Sequence, residues 1–255
     1  MSERPQSSHA AAGQPLDLRE RGLPIDGVPQ RLDRRLFIQL MAFRASGQDG
    51  AAHAADALAR ALDEAGIPGV VYADTNDPHG IALVTYSDDP AHFVDAVRPL
   101  FARPPLSNLE YRPELAMLGR TYSSGYENDL DFWLIRRPKE TLAHEGWDWA
   151  IWYPLRRTGA FNRLPREEQG AILREHGTIG KSYGEQDLAH DIRLACHGLD
   201  ASDNEFVIGL IGKDLYPLSH VVQTMRGTRQ TSEFMDKMGP FFVGRVLHRV
   251  AGKGT

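Results

Sequence analysis

The chain repeats itself, and that constrains its fold more than any other feature. Asp89 corresponds to Asp214, Phe93 to Leu218, Val97 to Val222, Leu100 to Met225, Gly119 to Gly244 and Arg120 to Arg245, all at one offset of 125 residues. Chance supplies one or two such pairs. A register held over more than thirty residues marks a duplication.

Each half reads as the same run of elements. In the first, 35–43 is a strand and 51–65 a helix, with Ala55, Leu58, Leu62 and Ala65 on one face and Gly66 as its stop. Strands over 70–73 and 81–86 follow. Asp88-Asp89-Pro90 then opens a helix to about 101, and a strand at 117–122 closes the half. The second half gives a strand at 149–155 and a helix at 165–176, with Pro165 at its start and Gly177 past its end. Strands at 191–197 and 205–211, a helix at 216–225 and a strand at 241–247 complete it. The unit β-α-β-β-α-β is ferredoxin-like. The expected fold class is α+β: tandem ferredoxin-like repeats forming a dimeric α+β barrel within one chain, helices outside. Residues 1–31 read as a flexible polar tail and 32–122 as the first half. Residues 123–147 are a connecting segment and 148–250 the second, ligand-binding half.

Composition narrows the function. A net charge of −5 and a pI near 6.1 give no basic field to recruit nucleic acid or an acidic membrane. Cys196 is the one cysteine, which excludes an internal disulfide and any cysteine-rich metal or iron–sulfur site. No apolar run is long enough to predict a transmembrane helix, and a reducing, cytoplasmic setting is the expectation.

The halves differ where chemistry gathers. On 165–176 the inward face includes Gln169, Ile172, Leu173 and His176, related by steps of three and four. A histidine there is ordinarily a dipole partner or a satisfied core residue. As a ligand, a single imidazole with no cysteine or acidic helper in metal spacing suits haem iron better than zinc, and Gly177 and Gly180 allow a flat cofactor close. Alternation along Trp149-Ala150-Ile151-Trp152-Tyr153-Pro154-Leu155-Arg156-Arg157 puts Tyr153 and Arg157 on one face. A buried guanidinium at Arg157 needs an anion, and a substrate carboxylate would provide one. Ala189, Asp191 and Arg193 share a face of their strand, while His190 lies on the other. Arg226 ends a helix, where dipole compensation and anion binding are both open.

Several ordered motifs then make a resemblance. Tyr153-Pro154-Leu155-Arg156-Arg157 comes first, followed by Leu164-Pro165-Arg166-Glu167-Glu168 leading to Glu175-His176-Gly177-Thr178-Ile179-Gly180-Lys181-Ser182-Tyr183. Gly198-Leu199-Asp200, Thr224-Met225-Arg226 and Gly239-Pro240-Phe241-Phe242-Val243-Gly244 come later, and Gly119-Arg120-Thr121-Tyr122-Ser123 earlier. The second half resembles the chlorite dismutase superfamily and looks most like its coproheme decarboxylases; the first half is similar by architecture alone. The resemblance implies His176 as the proximal haem ligand and Tyr153 as the residue that becomes a radical and takes hydrogen from a propionate. It implies Arg157 beside that propionate and Arg137 as a propionate-binding arginine, joined by Tyr122 and Arg226. Iron coproporphyrin III (coproheme) would be substrate and cofactor together, with hydrogen peroxide as oxidant and haem b as product. A pentameric homo-oligomer is also implied. The alternatives are a chlorite dismutase and a haem-binding or haem-transfer protein without the chemistry.

One departure bears on the site. Between His176 and Gly198 the chain is about two residues longer than the family pattern. The distal residue therefore falls on Ala189 or Asp191, with Arg193 two positions further along the same face. The base that activates peroxide is open among Asp191, His190 and His144.

Overall fold

The computed structural model describes residues 15–45 and 50–252. Two short strands, β1 (Glu20–Arg21) and β2 (Arg31–Leu32), pair with each other ahead of the main sheet. The first half then runs β3 (Phe37–Arg44), α1 (Gly50–Ala65), β4 (Gly69–Asp74) and β5 (Gly80–Ser87). A π-helical turn over Phe93–Val97 passes into a 3₁₀ turn over Arg98–Ala102, and β6 (Glu110–Tyr111) and β7 (Met117–Arg120) close the half. After α2 (Arg137–Ala143) the second half runs β8 (Trp149–Arg157), α3 (Gly159–Asn162), α4 (Arg166–Glu185), β9 (His190–Ala195) and β10 (Phe206–Gly212). It ends with α5 (Leu215–Arg226), α6 (Arg229–Phe234), β11 (Met235–Met238) and β12 (Phe242–Val250).

Eight strands close into a ring in the order β3, β5, β4, β12, β8, β10, β9, β7, and every pairing is antiparallel. Within the first half the strands lie β7-β3-β5-β4, and within the second β12-β8-β10-β9. Numbered along each half, both orders are fourth, first, third, second. The last strand of each half joins the second strand of the other, so the two seams join corresponding strands. Gly119 and Gly244, paired in sequence, sit at these seams. A β-carbon on Gly119 would lie 2.7 Å from Leu194 Cβ on β9, and one on Gly244 2.9 Å from Tyr72 Cβ on β4. The repeated glycine is where neighbouring strands pack too closely for any side chain.

Alternation decides what faces inward. Ile38 and Leu40 of β3, Tyr72 of β4, Val84 of β5, Met117 of β7, Trp152 of β8, Ile192 of β9, Val207 of β10 and Phe242 of β12 all belong to one buried cluster. Only the inside of a closed ring is shared by eight strands, so this is the barrel core. The outer face of the first half packs on α1 through Leu58, Leu62, Val71 and Leu83. That of the second half packs on α4 and α5 through Ile151, Tyr153, Leu210, Leu218 and Val221.

Three expectations are corrected. The helix read as 165–176 runs through to Glu185, so His176 is in its middle and Gly177, Gly180 and Gly184 lie inside it. Its stop is Asp187, which takes a left-handed backbone at φ 57° while Leu188 N–H donates back to Tyr183 O at 2.9 Å. The segment after Pro90 is helical as expected, and Asp89 accepts from Ala91 N–H at 3.0 Å, but its turns are π and 3₁₀ rather than α. Residues 15–31 are tied to the body rather than trailing from it: Glu20 pairs with Arg35 at 3.0 Å and accepts from Ser123 N–H, and Gln30 donates to the Glu127 and Asn128 carbonyls. The rest of that tail, 1–14, lies outside the described residues. No helix among the described residues is long and apolar enough to cross a membrane.

Candidate functional site

Strand register assembles the site on the outer face of the second half. Tyr153 of β8 stands opposite Ile208 of β10, which stands opposite Arg193 of β9. In the next row Ile151 faces Leu210, and Leu210 faces Asp191. Side chains in one row of an antiparallel sheet share a face. The floor is therefore aliphatic in the middle, with a phenol on one side and an ion pair on the other. α4 and α5 lie across it, contributing Ile179 and Tyr183, and Leu218, Val222 and Met225.

Tyr153 is 6% exposed and stacks on Phe241, ring centres 4.7 Å apart at 22°. Its hydroxyl has no hydrogen-bond partner among the described residues. Burial raises the phenol's pKa far above the usual range and the Asp191 carboxylate adds to this, while Arg226 opposes both. The group is a neutral phenol at any physiological pH.

His176 is half-buried on α4. Its Nδ1 lies 3.4 Å from Thr228 Oγ1, a long contact, and the Thr228 hydroxyl donates to Met225 O at 2.8 Å. With that proton committed, Thr228 is left to accept from Nδ1–H, which makes Nε2 the unprotonated nitrogen. Burial lowers the imidazole's pKa and the Arg193 guanidinium lowers it further, against Asp191 and Glu175. A neutral ring with Nε2 unprotonated is the form that ligates a metal.

Asp191 sits between two cations. Arg137 Nη2 donates to its carboxylate at 2.9 Å and Arg193 Nε lies 3.1 Å from its other oxygen. Burial raises the carboxyl pKa, but the guanidiniums of Arg193 and Arg137 prevail and hold it below the ordinary aspartate value. Beside this trio a small cavity of about 20 Å³, room for one water molecule, is lined by Tyr122, Glu127, Trp133, Arg137 and Arg193. The Tyr122 phenol is itself pushed up by burial, against Arg193 and Arg157.

Arg157 does occupy the face of Tyr153, but its anion comes from the protein. Glu205 lies 3.3 Å from Arg157 Nε and accepts from its backbone N–H at 3.0 Å. The guanidinium is held between the rings of Phe161 and Phe206, at 4.5 and 4.7 Å. Arg226 is exposed at the end of α5 and has no carboxylate partner among the described residues. His190 and His144 stack on the two faces of Trp147, at 3.6 and 3.7 Å, and His190 lies on the strand face opposite to Asp191. Neither joins the Tyr153 face, and Ala189 contributes only apolar packing there. Of the proposed site residues, Tyr153, Asp191 and Arg193 share the sheet face, His176 lies on the helix across it, and Tyr122, Arg137, Arg157 and Arg226 ring it. Sequence reasoning missed Glu205, Thr228 and Phe241. Each acts through a partner distant in sequence, which spacing along the chain does not reveal.

The model of the chlorite dismutase family matches residues 111–247, more than half of the chain. The chain belongs to the chlorite dismutase family. The match covers the last strand of the first half and nearly all of the second, so every residue of the candidate site lies in it. Several solved structures share the fold over most of their length. A haem-binding protein of Thermus thermophilus is 19% identical, with 85% of this chain and 92% of that one aligned at a TM-score of 0.64. A chlorite dismutase variant from Candidatus Nitrospira defluvii is 14% identical, covering 84% and 92% at a TM-score of 0.65. The enzyme from the same organism in complex with imidazole is 14% identical, covering 83% and 90% at 0.64.

Proposed function

We propose that this family member binds an iron porphyrin between α4 and the outer sheet face, and that it converts iron coproporphyrin III to haem b by peroxide-dependent oxidative decarboxylation. We also infer that the two halves are tandem ferredoxin-like repeats, a reading supported by their shared strand order and by the paired seam glycines. The observation that carries the functional reading is Tyr153: a buried, neutral phenol whose hydroxyl has no hydrogen-bond partner among the described residues, on the face that α4 covers with His176.

The residues fit such a group. Ile151, Ile208 and Leu210 would offer an apolar platform, His176 Nε2 a nitrogen donor for the iron, and Arg226, which has no carboxylate partner among the described residues, a cation for a propionate. When bound and oxidised by peroxide, the iron porphyrin supplies the oxidising power. Tyr153 would lose the hydrogen of its Oη to the oxidised porphyrin and take one from the β-carbon of a propionate; the carbon radical would pass a second electron to the oxidised porphyrin as carbon dioxide leaves and a vinyl group remains. Each of the two reacting propionates would lose carbon dioxide and two hydrogens, which one peroxide takes up in becoming two waters. A phenol engaged in a strong hydrogen bond, or already ionised, would be a poorer donor of a hydrogen atom, and the burial of Tyr153 keeps its proton in place. Arg157 serves as a packed support for the Tyr153 strand, because Glu205 and two phenyl rings occupy it.

The test is to add hydrogen peroxide to the iron coproporphyrin III complex and weigh the porphyrin. Two losses, each of carbon dioxide plus two hydrogens, support the proposal; bleaching with no such loss overturns it in favour of a binding protein. Arg193 favours a second reading, chlorite dismutation, because its cation stands on the Tyr153 face near His176. Oxygen release from chlorite that survives Tyr153→Phe but not Arg193→Ala would select it.

A further inference from the structure

Resemblance assigns Arg137 to a carboxylate of the ligand, yet both of its terminal nitrogens already donate to Asp191. Nη1 donates to the backbone oxygen of Asp191 at 2.6 Å and Nη2 to its side chain at 2.9 Å. The guanidinium also lies 4.9 Å from the ring centre of Trp133, and the side chain is only 20% exposed. A planar fork that spends both terminal nitrogens on one residue and stacks on an indole has little left for a second carboxylate.

The backbone explains why Arg137 is there. On one edge β9 pairs with β10 along most of its length, but on the other it meets β7 only at Ala195. The β9 edge at Asp191 thus has no strand partner, and a carbonyl left there needs a donor. Arg137, reaching from the start of α2, supplies it and holds the Asp191 carboxylate at the same time. The other carboxylate oxygen meets Arg193 Nε at 3.1 Å, so the side chain is held from two sides. Asp191 stands one row from Tyr153 on the sheet face.

We propose that Arg137 is a positioning residue that acts through Asp191, fixing that carboxylate on the face it shares with Tyr153, and that it does not anchor a carboxylate of the ligand. The inference rests on the iron-porphyrin reading for its second half only; the clamp itself belongs to the ligand-free protein. The charge so held acts on the site, because the Asp191 carboxylate disfavours ionisation of Tyr153.

Two measurements test it. In the ligand-free protein, nitrogen-15 magnetic resonance should find rotation of the Arg137 guanidinium slowed in the wild type and released in Asp191→Asn; free rotation in the wild type overturns the clamp. Absorbance titrations then compare iron coproporphyrin III with its tetramethyl ester, which has the same ring and no free carboxylates. In Arg137→Gln the ratio of the two affinities should stay within about twofold of the wild type, whereas loss of a charge-assisted anchor lowers it about tenfold or more. A tenfold fall overturns the proposal. Should Arg137→Gln fail to fold, Arg137→Lys decides by the same ratio. A wild-type protein that binds neither porphyrin overturns the iron-porphyrin reading, while guanidinium rotation still decides the clamp.

Discussion

Tyr153 has an unusual combination of properties for a buried tyrosine: its ring is stacked and its hydroxyl unengaged. Removing a hydroxyl that makes no hydrogen bond leaves no partner unsatisfied, so Tyr153→Phe should leave stability to urea within about 0.5 kcal/mol of wild type. The same variant should bind iron coproporphyrin III and fail to decarboxylate it, as read by porphyrin mass; unchanged turnover would end the radical proposal. His176 supplies a pH dependence. Burial depresses its pKa below the ordinary 6.5, so the unfolded chain takes up a proton before the folded one does. The stability this contributes is complete above 6.5 and is lost as pH falls from there through the folded value. Thermal midpoints from pH 8 to pH 5 should therefore fall more steeply for wild type than for His176→Gln, and parallel curves would refute the assignment. Alternation along β8 and β9 made Tyr153, Asp191 and Arg193 legible in sequence. Their partners were not, since Arg157 meets Glu205 across 48 residues and His176 meets Thr228 across 52. Such pairs exist only once the strands and helices have a register.

The elements show where local signals stop being decisive. Gly177 reads as a helix stop because glycine costs roughly 1 kcal/mol against alanine in a helix interior. α4 nevertheless continues past it, since Ile179 and Tyr183 pack on the cluster beneath and outweigh that cost. A β-carbon on Gly177 would meet nothing within 4 Å, so Gly177→Ala should raise stability to urea by about 0.5–1 kcal/mol. Gly209 is the opposite case. It pairs with Trp152, and a β-carbon there would lie 2.6 Å from the indole ring, so Gly209→Ala should destabilise by about 1–3 kcal/mol. The two substitutions are chemically identical, and their contrast in one urea series checks both the length of α4 and the packing of the barrel interior.

At the scale of the molecule, the ring is unevenly sewn. β10 meets β8 along seven residue pairs from Phe206 to Gly212, whereas β7 meets β9 at Arg120 and Ala195 alone. Amides in β7 and on the outer edge of β9 should exchange with deuterium faster than those shared by β8 and β10, as read by hydrogen exchange at neutral pH. Uniform protection around the ring would contradict this. The alternation of each strand and the order of elements were determined by the sequence alone, because they depend on spacing along the chain and on the burial of apolar side chains. The family, too, was legible there, in motifs carried mainly by the second half. Only the tertiary structure decided that α4 runs on past His176, that Glu205 pairs with Arg157, and that Arg137 holds Asp191. Each of these is a choice among partners distant in sequence, and charges and hydrogen bonds act over a few ångströms of space rather than along the chain.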